Sequence, residues 1–111
     1  MMKTFSEYDE ATKKIDMKFP GSDSLSFLAL GVSGESGEIA DHVKKSIRDD
    51  RGVISDERRE LILKEIGDVM WYLNKMTRVL GSSLEEVCKI NVDKLTSRIN
   101  RGKFKGSGDN R

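Results

Sequence analysis

The chain has 111 residues, of which 36% are hydrophobic and 35% charged, and its formal net charge is +1. That is material for one domain with a modest core, and the charge balance excludes the strongly basic field of most nucleic-acid binders. One cysteine (Cys88) and one histidine (His42) leave neither an internal disulfide framework nor a zinc tetrad.

The opening MMKTFSEYDE is charged and has no apolar centre, so it does not read as a signal peptide. No run of about 20 apolar residues is present to span a bilayer. The expected location is the cytoplasm.

Taken in chain order, the periodicity predicts helices joined by short connections. A first helix is expected from about Thr4 to Lys18, with Phe5, Tyr8, Thr12 and Ile15 on one side. FPGSDS, which holds the single proline Pro20, breaks it, and Asp23 or Ser24 caps the second helix. That helix runs to about Arg48. Ser55 or Asp56 starts a third, which ends near Leu80 with Gly81 as its stop. Ser83 followed by Glu86 has the spacing of a capping box and opens a fourth, to about Arg101. The tail GKFKGSGDNR is rich in glycine and charge and reads as irregular. With no strand-like alternation and no repeat, the expected fold is all-α, a four-helix bundle formed by residues 1–111 as a single domain.

At 100° per residue, Leu28, Val32, Ile39 and Val43 form a stripe on the second helix, and Glu35 falls inside it. Glu38 and His42 lie at its edge. On the third helix Ile62, Ile66, Val69, Leu73, Met76 and Leu80 align, flanked on one side by Glu65, Asp68 and Tyr72. Leu63 and Met70 widen this apolar surface, which is more than a surface helix needs. A central position in the bundle, a dimer interface, or both would account for it.

Two carboxylate pairs therefore border the core stripes: Glu35-x-x-Glu38 and Glu65-x-x-Asp68. Residues three apart on a helix are neighbours on one face. If the helices pack antiparallel through their stripes, four acids converge, and their mutual repulsion calls for a cation. Oxygen-only ligands suit a hard ion, Mg²⁺ or Mn²⁺ in its place. Carboxylates, such an ion and an activated water are equipment for hydrolysing a phosphoanhydride. Either pair alone reads equally as a solvated face. A di-iron bundle is disfavoured, because its Glu-x-x-His motif is absent. His42, four residues after Glu38, reads as an edge residue rather than a ligand. Gly31, Gly34 and Gly37 share one side of the second helix, either for close packing or to give a ligand room beside Glu35 and Glu38. They do not form a P-loop.

These residues resemble the MazG-like family of all-α nucleoside triphosphate pyrophosphohydrolases, in particular its small single-domain phage and bacterial members. The resemblance rests on GESGEIAD, KEIGDVMWYL, the surrounding LGVSGESGEIADHVKK and the later INVDKLTSRINRGKFKGSGDNR, and covers about residues 25 to 111. It implies that Glu35, Glu38, Glu65 and Asp68 hold Mg²⁺, which in turn binds a triphosphate; the family includes relatives acting on dUTP and dCTP, so a deoxynucleoside triphosphate is the expected substrate. It further implies that Glu35 or Glu38 activates a water for attack on the α-phosphorus, giving a monophosphate and pyrophosphate. The family is usually dimeric or tetrameric, so a homo-oligomer is expected.

A triphosphate also needs cations. Lys94 and Arg98, four apart on the fourth helix, are favoured, then Lys45; Asn91 matches the family's Asn-x-x-Lys pattern. Lys103 and Arg111 reach the phosphates if the tail folds over the site, and Lys105 offers the same. Trp71 and Tyr72 are candidates for contacting the base, with Phe27 and Phe104 behind them. Trp71 in particular points off the stripe, as an interface or a base pocket would require. Cys88 is expected to be a reduced core residue. The competing reading is a non-enzymatic helical module that self-assembles and binds a partner or single-stranded nucleic acid through KLTSRINRGKFKG, with Lys94, Arg98, Arg101, Lys103, Lys105 and Phe104. A third is an acidic helical protein with a purely structural metal site.

Overall fold

The computed structural model describes residues 2–102 and Gly108. Four α-helices follow one another: α1 Phe5–Lys13, α2 Leu25–Asp50, α3 Asp56–Val79 and α4 Leu84–Asn100. Each begins where a hydroxyl caps it. The side chains of Thr4, Ser24, Ser55 and Ser83 accept from the backbone N–H of Glu7, Phe27, Arg58 and Glu86 respectively. Each cap satisfies one of the amides that a helix start leaves without an internal partner.

The stops follow local chemistry as well. Arg51 and Gly52 take left-handed φ values of 56° and 79° after α2, and the Gly52 N–H returns to the Ser46 carbonyl at 2.9 Å. This αL closure satisfies carbonyls at the helix end, and it carries α2 two residues past Arg48. Gly81 has φ 74° after α3, where the Ser82 N–H reaches the Thr77 carbonyl at 2.8 Å.

The first helix departs from expectation. It stops at Lys13 rather than Lys18, and Ile15 is exposed instead of continuing the face of Tyr8 and Thr12. The reason is tertiary. Just beyond the helix end Asp16 meets the Lys75 ammonium of α3 at 2.9 Å, with both side chains almost fully buried. A helical course to residue 18 competes with that ion pair and loses.

α2 and α3 form the structural centre. Asp50 pairs with Arg58, His42 faces Glu65, and Tyr72 packs on Gly31. As the residue number falls on one helix it rises on the other, so the two run antiparallel. α1 is fixed to the C-terminal half of α3 by a polar network. Asp9 Oδ1 accepts from Arg78 Nη2 at 2.7 Å, Arg78 Nε at 3.0 Å and Asn74 Nδ2 at 3.1 Å. Thr12 Oγ1 accepts from Arg78 and Asn74 as well. α4 packs mainly on α1 and α3.

The interior is thin. Among the described residues only Leu28 and Leu84 are buried large apolar side chains, while Thr12, Asn74, Lys75 and Arg98 are buried polar ones. Val32, Ile39, Val69, Leu73 and Met76 are half-buried along the α2–α3 seam, but Val43, Ile66 and Leu80 stand in the open. Cys88, expected in the core, is exposed, because it lies on the face of α4 on which none of the described residues packs. The radius of gyration, 17.1 Å, exceeds the roughly 13–14 Å of a compact domain this long.

Candidate functional site

The carboxylates expected to converge lie on the α2–α3 seam. Oxygen atoms of Glu35, Glu65 and Asp68 all come within 4.8 Å of one another. The antiparallel register does this: Glu65 and Asp68, one turn apart on α3, face a single residue of α2. Glu38 is not among the three; one turn beyond Glu35, its side chain is exposed. Its charge still acts on Glu35.

The electrostatics are those of a site short of positive charge. Burial pushes the Glu35 carboxyl above its usual range. A hydrogen bond with Glu65 and the charges of Asp68, Glu65 and Glu38 push the same way. Tyr8 on α1 stands near enough for Asp68 to raise its phenol too, after the larger effect of burial. His42 Nε2 is 3.7 Å from Glu65 Oε1, which places the imidazole at the margin of the acids, as expected. Its buried Nδ1 has no hydrogen-bond partner among the described residues. The donor set fits a hard divalent cation: carboxylate oxygens only, drawn together from two helices, with the Glu35 carboxyl raised by burial and by its acidic neighbours.

The glycines of α2 divide by function. At Gly31 a side chain would collide with the Tyr72 ring, so this glycine serves packing. Among the described residues Gly34 and Gly37 meet nothing within 4 Å, which leaves open space around the turn that carries Glu35 and Glu38.

Aromatic residues gather one turn away. Tyr72 follows Asp68 by four residues and rests on Gly31, which precedes Glu35 by four; the offset along both helices is about 6 Å. Tyr72 lies edge-on to Trp71 and to Phe27, with centroids at 5.1 and 6.2 Å, and Phe27 lies edge-on to Phe19 at 5.1 Å. These rings wall a cleft of about 240 Å³, which Lys75 also lines. Its ammonium sits 5.2 Å from the centre of the Trp71 ring. A larger groove, about 610 Å³, opens between Phe5, Tyr8, Gly67 and Met70.

The cations proposed for phosphate binding are placed variously. Lys45 is engaged by Asp41 at 2.7 Å, and Lys44 by the same carboxylate at 2.8 Å. The two ammonium groups hold the Asp41 carboxyl far below the usual range. On α4, Asn91 is exposed, Lys94 half-buried and Arg98 buried. Arg98 Nη2 donates to the Gly108 carbonyl at 3.2 Å, which ties that point of the tail back to the helix. Lys103, Phe104, Lys105 and Arg111 lie outside the described residues.

Residues 24–102 match the family described as the MazG nucleotide pyrophosphohydrolase domain. The chain belongs to that family. A relative from Mycobacterium phage L5, called Gene 37 protein, is 47% identical over 89 residues, covering 80% of this chain and 78% of its own. No solved structure matches. As a MazG domain the protein is all-α and a hydrolase of phosphoanhydride bonds. MazG enzymes typically depend on a divalent metal, and the Glu35–Glu65–Asp68 group is an acidic cluster that could hold one. Among the described residues no helix of this MazG domain is long and apolar enough to cross a membrane. The family match begins at residue 24, so α1 and the segment carrying Asp16 and Phe19 precede it. Neither Asp16 nor Lys75 stood out in the sequence, because an ion pair between residues so far apart leaves no local signature.

Proposed function

We propose that this MazG domain hydrolyses nucleoside triphosphates, deoxynucleotides in particular, to the monophosphate and pyrophosphate. The observation that carries the reading is the convergence of Glu35, Glu65 and Asp68 from two antiparallel helices onto one point. These three would hold Mg²⁺, or Mn²⁺ in its place, with Glu38, one turn beyond Glu35, as the fourth carboxylate of the site. The bound ion offsets the charge of the triphosphate and makes a nearby water more acidic.

The chain's own residues do the remainder. Glu35 or Glu38 orients the water and takes its proton as its oxygen bonds to the α-phosphorus. The bond from that phosphorus to the bridging oxygen breaks, and pyrophosphate departs. Open space beside Gly34 and Gly37 lets the phosphates approach α2. Lys94, Arg98 and Asn91 on α4, with Lys45, Lys103 and Arg111, supply charge and hydrogen bonds to the polyphosphate. The base enters the aromatic cleft of Trp71 and Tyr72, one turn from the carboxylates.

The working form is a homodimer or homotetramer in the cytoplasm, and residues 1–111 act as one domain. The exposed apolar surface supports assembly: Leu30, Ile47, Ile90 and Ile99 are each more than half exposed, which is costly for an isolated chain. Incubation with a panel of NTPs and dNTPs, with and without Mg²⁺, tests the reading. Monophosphate and pyrophosphate should appear only with the metal. Release of orthophosphate, or turnover indifferent to the metal, would contradict it.

A further inference from the structure

We infer that Lys75 is a specificity-determining residue of the aromatic cleft and selects nucleotides whose base carries a carbonyl at C4 of a pyrimidine or C6 of a purine, namely uracil, thymine and guanine, over cytosine and adenine, which carry an amino group there. The inference rests on the proposed seating of the base in that cleft.

Lys75 is 3% exposed, an unusual state for an ammonium. It is held there from outside the family-matched segment. Asp16, itself nearly buried, lies at 2.9 Å, and the more exposed Asp23 at 3.4 Å. The Trp71 ring lies beneath it, and the cleft walled by Phe19, Phe27, Trp71 and Tyr72 opens onto it. Structural stability alone gives little reason for this arrangement, since a buried ion pair is seldom more stabilising than apolar residues of the same volume.

An ammonium has three N–H donors and no acceptor. Asp16 and Asp23 engage it from the side of the 14–24 segment, and a ligand in the cleft meets its remaining donor capacity. A base slotted between the rings would present its pairing edge to that charge. A carbonyl oxygen, O4 of uracil or thymine or O6 of guanine, accepts from it. The amino group of cytosine or adenine at the same place brings donor against donor, so the N–H that faces the cleft gains no acceptor from the base. The offset of about 6 Å between cleft and carboxylates leaves the sugar to bridge base and α-phosphate.

The test is kcat and KM for dUTP, dTTP, dGTP, dCTP and dATP, with the wild type and with Lys75→Met. We expect wild-type kcat/KM for the three carbonyl-edged substrates to exceed that for dATP and dCTP by at least about tenfold. Lys75→Met should compress that gap, through KM rather than kcat. A wild type that favours dATP or dCTP, or a variant with the unaltered ranking, overturns the inference while leaving the proposed hydrolysis intact. Because Lys75→Met leaves Asp16 buried and unpaired, the neutral pair Lys75→Met/Asp16→Asn is measured alongside, with circular dichroism of both. The wild type supplies an assay that needs neither folding of a variant nor turnover. Trp71 is the single tryptophan, and its fluorescence should respond to dTMP at several-fold lower concentration than to dAMP. Equal responses, or none, would refute the selection whether or not the enzyme turns over.

Discussion

The ring of Tyr72 occupies the space that a side chain at position 31 would need, so Gly31 is the point where α3 locks onto α2. Tyr72 cannot readily yield, because Trp71 and Phe27 stand against it at 5.1 and 6.2 Å. Gly31→Ala is therefore expected to destabilise the fold by about 1–3 kcal/mol, as overpacking does. Gly34→Ala meets no neighbour and should stabilise by up to about 1 kcal/mol through helix propensity. Chemical denaturation of the two variants checks the contrast; equal effects would mean that the ring does not rest there.

Asp68→Ala removes one of the three converging carboxylates. Turnover should fall by roughly 10²-fold or more, on the scale of losing a preorganised electrostatic contact, while the helical circular dichroism is retained. Glu38→Ala should lower turnover as well, although Glu38 lies outside the group of three. Full activity in both variants would remove these residues from the site.

Stability of the metal-free protein should depend on pH in a definite sense. The Glu35 carboxyl is raised above its ordinary value of 4.5 in the fold. Its proton is thus held more tightly in the native state than in the unfolded one, and the associated stability is present below 4.5 and lost as the pH rises through the elevated folded value. The thermal midpoint should accordingly fall from mildly acidic toward neutral pH. Mg²⁺ should remove much of that dependence, and Asp68→Asn should reduce it. A midpoint that instead rises with pH across this range would contradict the clustering of the acids.

A second pH effect has the opposite sign and a lower window. Asp9 is held below its ordinary value of 3.8; burial opposes this shift, but hydrogen bonds from Arg78 and Asn74 outweigh it. Its contribution is present above 3.8 and lost as the pH falls through the depressed folded value. Asp9→Ala should cost about 1–3 kcal/mol at neutral pH, since it removes the carboxylate that Arg78 and Asn74 share and leaves them only the Thr12 hydroxyl. Loosened contact of α1 with α3, seen as faster amide exchange in α1, is the accompanying readout.

The apolar residues left in the open should be covered in solution. Sedimentation at micromolar concentration is expected to show a dimer or tetramer, and Ile90→Asp on the exposed face of α4 should shift the population toward monomer. A wild type that sediments as a monomer would oppose the assembly proposed above.

Much of this architecture is written locally. A hydroxyl at Ser24, Ser55 and Ser83 and a glycine at position 81 act on amides and carbonyls within one turn, so helix limits were legible to within two residues for three of four helices. The carboxylate spacings likewise put each acidic pair on one face of its own helix. Other features depend on residues distant in the chain. The antiparallel register of α2 on α3 admits Glu35 to the acidic group and leaves Glu38 outside, and it sets Tyr72 on Gly31. The ion pair of Asp16 with Lys75 ends α1 early and fixes Lys75, which lines the aromatic cleft. Periodicity reports which face of a helix is apolar, but register and long-range charge pairing are set by the packing energy of two surfaces together, which neither segment carries alone.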